Sequence, residues 1–442
     1  MGRALLTDLY ELNMAASYIR RGMTEAATFS LFVRDLPPGR GFLVAAGLDK
    51  CLEYLENLRF EEEDLAYLRD DLGFDGTAID GFRDLRFTGE MWAVPEGRVI
   101  FAGEPLLEVT APIAEGQVAE TFLLNRMTLE TSLASKASRC VLAAGGRDLV
   151  DFSFRRTQGV EAAMAVARTS AMVGFVATSN VEAARTMGLR AAGTMAHSYI
   201  EAFPTEEQAF RAFAQDYPDR CTFLVDTYDT LDGVRTAVGV IRDLGLAGQI
   251  GVRLDSGDLG ELARQARKIL DEADLRPVRI FASGGLDEHL IDELVRLGAP
   301  IDAFGVGTRM GVSADAPYLD TVYKLVQYGD RPVMKLSVGK ATAPGPKQVF
   351  RGERPEEDVI GLRDEEPPPG CEPLLVQVMA EGRRLAPSEP ISEGRGRFGR
   401  DVGALSPEAR RIRDPVAPLP GHTKRLDALA RQATERANRR PV

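Results

Sequence analysis

The sequence predicts an α/β fold: an irregular (β/α) barrel with a second, smaller mixed α+β domain built from N- and C-terminal segments. Three observations predict it. Short apolar runs near 149–152, 174–177, 191–194, 222–225, 250–254, 278–282 and 301–304 alternate with helical patterns such as 160–172 and 231–244. A strand–helix repeat of about 25 to 30 residues marks a parallel sheet, and this many units favour a closed or nearly closed barrel over an open sheet. Several runs end in small and polar residues, as in GVRLDSGDL, FASGG and DAFGVGT, and in parallel α/β folds ligands sit at such carboxyl ends. Finally, the pattern differs at both ends of the chain, which gives segments 1–125, 126–335 and 336–442, the last packing with the first.

The N-terminal segment opens with a helix over 5–22 that has Thr7 as its N-cap candidate and stops at Gly22. Residues 29–33 alternate as a strand does, and PPGRG at 37–41 is a turn. Amphipathic helices follow at 48–58 and 62–72. Over 90–110, β-like runs are split by PEG and GEP, and 117–144 reads as one long helix leading into the barrel. After Lys335 the periodicity degrades, Gly and Pro gather at 344–347 and 367–370, and 423–440 is a basic helical end.

At 442 residues the chain exceeds what one core sustains. Its 44% apolar and 27% charged content is that of an ordinary globular protein. No apolar run reaches the length of a bilayer span, and the first residues lack a basic start with an apolar core, so a cytoplasmic protein is expected. A net charge of −12 argues against a nucleic-acid or anionic-membrane surface, so any phosphate site must be built locally. Cys51, Cys140, Cys221 and Cys371 are too dispersed for a zinc motif and read as reduced thiols.

The chemistry concentrates in GVRLDSGDL. Asp255 and Asp258 bracket Ser256 and Gly257 where a strand meets a helix. Carboxylates of this kind orient a magnesium-bound sugar or pyrophosphate, or they cap the helix and complement its dipole; both readings stand. Arg253 tilts the balance, since a cation beside two acids at a strand end is poor core material and suits phosphate. Gly284, Gly285, Gly305 and Gly307 let backbone N–H groups approach an anion, and Thr308 adds a hydroxyl. One such pair is an ordinary βα turn; two on consecutive strands are more specific. His197, in AGTMAHSYI between Thr194 and Ser198, occupies a rim position that favours function over packing. His289 and His422 lie on a polar helix and in a Pro/Gly-rich tail and are set aside. DFSFRRTQG at 151–159 places aromatic rings beside two arginines, fit to stack a flat heterocycle and pair its carboxylate, or else to form a structural ion pair.

Taken in order, LLTDLYELNMA, DFSFRRTQG, GTMAHSY, GVRLDSGDL, FASGGLDE and FGVGTRM, with EPLLVQVM near the C-terminus, resemble nicotinate phosphoribosyltransferase over 5–335. The resemblance implies an irregular α/β barrel with an appended mixed domain, and a homodimer with active sites at the subunit interface. It implies that nicotinate and 5-phosphoribosyl 1-pyrophosphate give nicotinate mononucleotide and pyrophosphate in NAD biosynthesis, coupled to ATP hydrolysis and requiring magnesium. By position, Tyr10 would cover the pyridine ring in the neighbouring subunit's site, with Phe152 on the other face, and Arg155 would contact the ring substituent or a nearby phosphate. His197 matches the histidine transiently phosphorylated by ATP. Arg253 and Asp255 would hold ribose and pyrophosphate, and Gly284, Gly285, Gly305 and Gly307 would cradle the 5′-phosphate. Thr194, Ser198, Ser256, Asp258, Ser283 and Thr308 complete the set.

The nearest alternative is the sister activity on nicotinamide. That family carries an aspartate in the region of Thr178 to Asn180 that accepts from the amide, whereas this chain has Ser179. An acid there would repel a carboxylate, so its absence favours nicotinate. A non-catalytic nucleotide sensor is the other alternative, and it has no need of a phosphorylatable histidine.

Overall fold

The computed structural model describes residues 4–336 and 342–438. The chain divides into two compact units, one running to Ser135 and resuming at Tyr318, the other Lys136–Pro317.

The first unit is built on a seven-stranded antiparallel sheet. Its order is Arg331–Pro332, Thr321–Tyr328, Ala26–Val33, Pro105–Pro112, Glu90–Ala93, Val376–Ala380 and Arg383–Arg384. Seven of the eight residues of Ala26–Val33 are buried, so this strand is covered on both faces, its small polar residues Thr28 and Ser30 included. A second sheet joins Glu372–Pro373, Lys347–Arg351, Val359–Leu362 and Gly421–His422. Glu108 is fully buried yet tolerated, because Lys347 lies 3.0 Å away and Arg363 also pairs with it.

Several expectations change here. The first helix is Leu9–Arg20, capped by Asp8 rather than Thr7, because the Glu11 carboxylate accepts from the Asp8 N–H at 3.4 Å and the Thr7 hydroxyl donates to Glu11 instead. The single helix over 117–144 is two, Ile113–Val118 and Glu120–Ala144. Helix Gly76–Asp84 has no counterpart in the sequence reading, because two glycines dilute its apolar stripe; at Gly81 a Cβ would lie 2.6 Å from the Ile19 side chain. Strand Thr321–Tyr328, placed by its number in the barrel segment, pairs with Ala26–Val33 along its length. The terminal helix is Lys424–Asn438, and positions 439–440 of the expected helix lie outside the described residues.

The second unit holds a six-stranded parallel sheet ordered Ala177–Thr178, Asp148–Asp151, Ala303–Val306, Arg279–Ala282, Gln249–Leu254 and Arg220–Leu224. The run at 191–194 contributes only one parallel bridge, Thr178 to Ala191, since its small, partly exposed residues bury too little to sustain a ladder. In a flat sheet the outermost of six strands stand about 24 Å apart. Here Thr194, three residues beyond Ala191, accepts at 3.1 Å from Arg253 on Gln249–Leu254 at the opposite side of the sheet, and His197 Nδ1 meets Thr227 Oγ1 past Arg220–Leu224 at 3.1 Å. The sheet is therefore curled into a partial barrel, and its carboxyl ends face one rim.

Cys51, Cys140 and Cys221 are free and buried, and burial pushes the Cys140 and Cys221 thiols up to about 12. Among the described residues no helix is long and apolar enough to cross a membrane.

Candidate active site

Arg253, the fifth residue of Gln249–Leu254, sits near the carboxyl end of a strand paired on both sides and reaches the rim with its guanidinium. Its Nε donates to Ser283 Oγ at 2.7 Å, Nη1 to Thr194 Oγ1 at 3.1 Å, and Nη2 to Asp255 Oδ1 at 2.6 Å. The same group stands 5.3 Å from the centroid of the Phe152 ring. One planar cation thus gathers residues from three strand ends and from the 191–194 segment, which a lysine could not do.

Asp255 also accepts from the Ser283 hydroxyl. Burial works against its charge, but Ser283, Arg253 and the field of His197 outweigh that and hold the carboxyl below its ordinary range. Asp226, just past Arg220–Leu224, accepts from the Asp255 N–H at 3.2 Å and from Ser256 Oγ at 2.5 Å. Its other oxygen, Oδ1, is buried with no hydrogen-bond partner. The Nδ1 bond to Thr227 holds the His197 ring and leaves Nε2 as its uncommitted nitrogen.

The glycines divide by role. Gly284 has φ +86°, and a Cβ there would collide with the Asp255 carbonyl oxygen; Gly285 has φ +64° with open space around it. At Gly305 a Cβ would meet the Phe152 ring at 2.7 Å, so this glycine makes room for the ring. Gly307 lies against the Phe152 carbonyl.

The rim therefore brings together Phe152, Thr194, His197, Arg253, Asp255, Ser256, Ser283 and Gly284. Asp258 instead caps helix Leu259–Glu272, accepting from the Glu261 N–H at 3.0 Å. Ser198 and Thr308 are exposed on short helices, and Arg155 is exposed without an ion pair among the described residues. Ser179 is held by its N–H to the Asp151 carbonyl at 2.8 Å. Tyr10 belongs to the other unit, on helix Leu9–Arg20, and is half exposed.

Four residues that the sequence reading passed over matter here. Asp151 is fully buried and accepts from Ser153 Oγ at 2.6 Å and Thr178 Oγ1 at 2.7 Å, tying the Phe152 and Ser179 loops together. Asp226 and Thr227 stand in VDTYD, whose signal was an acid directly after a strand. Glu206 has a buried oxygen with no partner; burial, then the charges of Asp226, Asp229 and Asp232, push its carboxyl from 4.5 up to about 7. The folded protein accordingly holds an extra proton between those values, and its stability declines as pH rises through that window. Glu206→Gln should flatten the fall in melting temperature between about pH 5 and about pH 8 relative to wild type. Glu11 titrates in the same window in both proteins, so the difference between the two curves is the observable; parallel curves would contradict the assignment.

Comparison with known proteins bears on the whole chain. Residues 5–128 match the nicotinate phosphoribosyltransferase N-terminal domain, and 148–342 match the nicotinate phosphoribosyltransferase family. The chain belongs to the nicotinate phosphoribosyltransferase family. It is 48% identical to nicotinate phosphoribosyltransferase pncB2 of Mycobacterium tuberculosis, over 93% of this chain and 89% of that one. It is 43% identical to the Bacillus subtilis nicotinate phosphoribosyltransferase, over 82% and 77%. The crystal structure of human nicotinic acid phosphoribosyltransferase superposes with a TM-score of 0.85 at 29% identity, covering 97% of this chain and 99% of that one. This nicotinate phosphoribosyltransferase family member is therefore an enzyme, and the polar rim of its parallel sheet is the candidate active site.

Proposed function

We propose that the enzyme joins nicotinate to 5-phosphoribosyl 1-pyrophosphate, releasing nicotinate mononucleotide and pyrophosphate in NAD biosynthesis, and that ATP hydrolysis is coupled to this through a phosphohistidine at His197. The observation that carries the reading is the convergence on Arg253 of Asp255, Ser283, Thr194 and the Phe152 ring, beside a glycine turn with open space at Gly285. A cation, an ionised acid, small hydroxyls and exposed backbone N–H groups are what a phosphorylated sugar needs, and a ring face is what a pyridine needs.

In the reaction the pyridine nitrogen's lone pair forms the bond to the anomeric carbon as the carbon–oxygen bond to pyrophosphate breaks, its electron pair leaving on pyrophosphate. The transition state is oxocarbenium-like, so placed charge and orientation matter more than a strong base. Asp255, kept ionised, complements the developing positive charge on the sugar, and Arg253 balances the leaving group. For ATP, the free Nε2 of His197 attacks the terminal phosphorus, forming the N–P bond as the P–O bond to ADP breaks; water later takes the phosphoryl group as phosphate.

Magnesium fits this rim in one form only. Among the described residues no group of three or more His, Cys, Asp or Glu could hold a metal, so the ion would be shared between substrate oxygens and one or two carboxylates. Asp226, with its unpartnered buried oxygen, and Asp255 are the residues that would hold it. When bound, it would neutralise charge on the departing pyrophosphate.

We place the enzyme in the cytoplasm as a homodimer with shared sites. Helix Leu9–Arg20 and the residues before it expose Leu5, Leu6, Leu9, Tyr10 and Met14, an apolar surface suited to a second copy, from which Tyr10 would cover the pyridine ring in the neighbouring site.

Turnover of nicotinate against nicotinamide, with and without ATP, tests the proposal; preference for nicotinamide, or indifference to ATP, would refute the corresponding half. Ser179→Asp should shift the ratio of the two efficiencies toward nicotinamide by about tenfold or more, since a new carboxylate repels the acid and accepts from the amide. An unchanged ratio would remove Ser179 from the specificity argument.

A further inference from the structure

Building on that reading, we propose that Asp287 and Arg309 form a brace setting the spacing of the two glycine turns, and that both are positioning residues for the phosphate end of the sugar substrate. Asp287 closes the GGLD turn and Arg309 follows the GVGT turn. Asp287 Oδ1 accepts from the N–H groups of His289 and Leu290 at 3.1 and 3.0 Å and so starts helix Glu288–Arg296. Its other oxygen, Oδ2, accepts from Arg309 Nη1 at 2.6 Å. A single carboxylate thus joins the helix after one turn to the side chain of the residue that follows the other.

The turns need such a tie. Strands Arg279–Ala282 and Ala303–Val306 pair at only two positions, Phe281 with Ala303 and Ala282 with Phe304, so the ladder between them ends before either turn begins; Gly305 and Val306 pair instead with Val150 and Asp151 on the far side. The glycines themselves cannot be replaced by anchoring side chains: Gly284 and Gly285 have positive φ, and Gly305 is filled by the Phe152 ring. A second tie runs beneath the first. Glu288, fully buried, accepts from Lys136 Nζ at 2.5 Å and Arg139 Nε at 2.9 Å, and Lys136 also pairs at 2.7 Å with Asp315, just beyond helix Thr308–Gly311. That lower tie is buried and structural. The upper one is open on one side: the Asp287 side chain is 12% exposed but that of Arg309 is 55% exposed, and water around the guanidinium screens the pair and limits what it adds to stability. Its effect is on geometry, at two loops where a displacement of an ångström is felt in substrate binding.

The test is steady-state kinetics on the full-length enzyme with each substrate varied in turn, for Arg309→Ala, Asp287→Asn, the double variant and Arg309→Lys. Asp287→Asn keeps a capping oxygen while weakening the ionic tie. The expected result is a rise of about tenfold in KM for 5-phosphoribosyl 1-pyrophosphate in each of Arg309→Ala and Asp287→Asn, with kcat and the KM for nicotinate little changed. The double variant should be no worse than the worse single one, and Arg309→Lys should recover most of the loss. A sugar KM within about twofold of wild type in Arg309→Ala, or fully additive losses in the double variant, would overturn the brace. Should Arg309→Ala fail to fold, Asp287→Asn and Arg309→Lys decide by the same criterion. Wild-type turnover is measured first: an inactive wild type sinks the parent reading, whereas an active one with an indifferent Arg309 sinks only the brace.

Discussion

Arg253→Ala is expected to lower kcat/KM for 5-phosphoribosyl 1-pyrophosphate by about a hundred- to a thousandfold, the range for removing a preorganised charged donor. Two losses combine. The guanidinium no longer meets the substrate's phosphates, and Ser283, Thr194 and Asp255 lose the group that orients all three. The second loss has its own signature. Arg253 is one of the groups that hold the Asp255 carboxyl below its ordinary range, so without it Asp255 protonates at higher pH and the acid limb of the pH–rate profile moves upward. Arg253→Lys should recover little, because one ammonium cannot serve three directions spread across a planar fork. A variant that keeps wild-type affinity for the sugar substrate, with its melting curve intact, would remove Arg253 from the site.

His197→Ala should abolish the stimulation of product formation by ATP, a loss of about tenfold or more in the ATP-dependent rate, while leaving the unstimulated reaction. The reason is that the Thr227 contact commits Nδ1 of His197 and presents Nε2. The decisive quantity is ADP released per nicotinate mononucleotide formed, which should fall to the background of uncoupled hydrolysis. Persisting ATP stimulation in the variant would exclude His197 as the phosphorylated group.

How far the site could be read from the chain is clearest at its acids. Asp255 and Asp258 both stand at the end of Gln249–Leu254, and either could have been the cap. The fold makes Asp258 the cap and turns Asp255 to Ser283, a residue 28 positions away. The same division recurs one strand earlier, where Asp229 caps helix Thr230–Leu244 and Asp226 is left for the rim. Composition and spacing treat the two members of each pair alike, so Asp226 was invisible as a site residue until its neighbours were placed.

Taken alone, the sequence determined the alternation of strand and helix, the positions of the glycine turns and the motifs that name the family, because each rests on residues close together in the chain and on periodicities of two or 3.6. The tertiary structure decided which strand joins which sheet, as when Thr321–Tyr328 leaves the barrel segment to pair with Ala26–Val33. It also decided that the parallel sheet curls until His197 meets Thr227, and that Arg253 draws three strand ends and the 191–194 segment to one point. Those outcomes depend on contacts between residues tens of positions apart, whose energies no local pattern records.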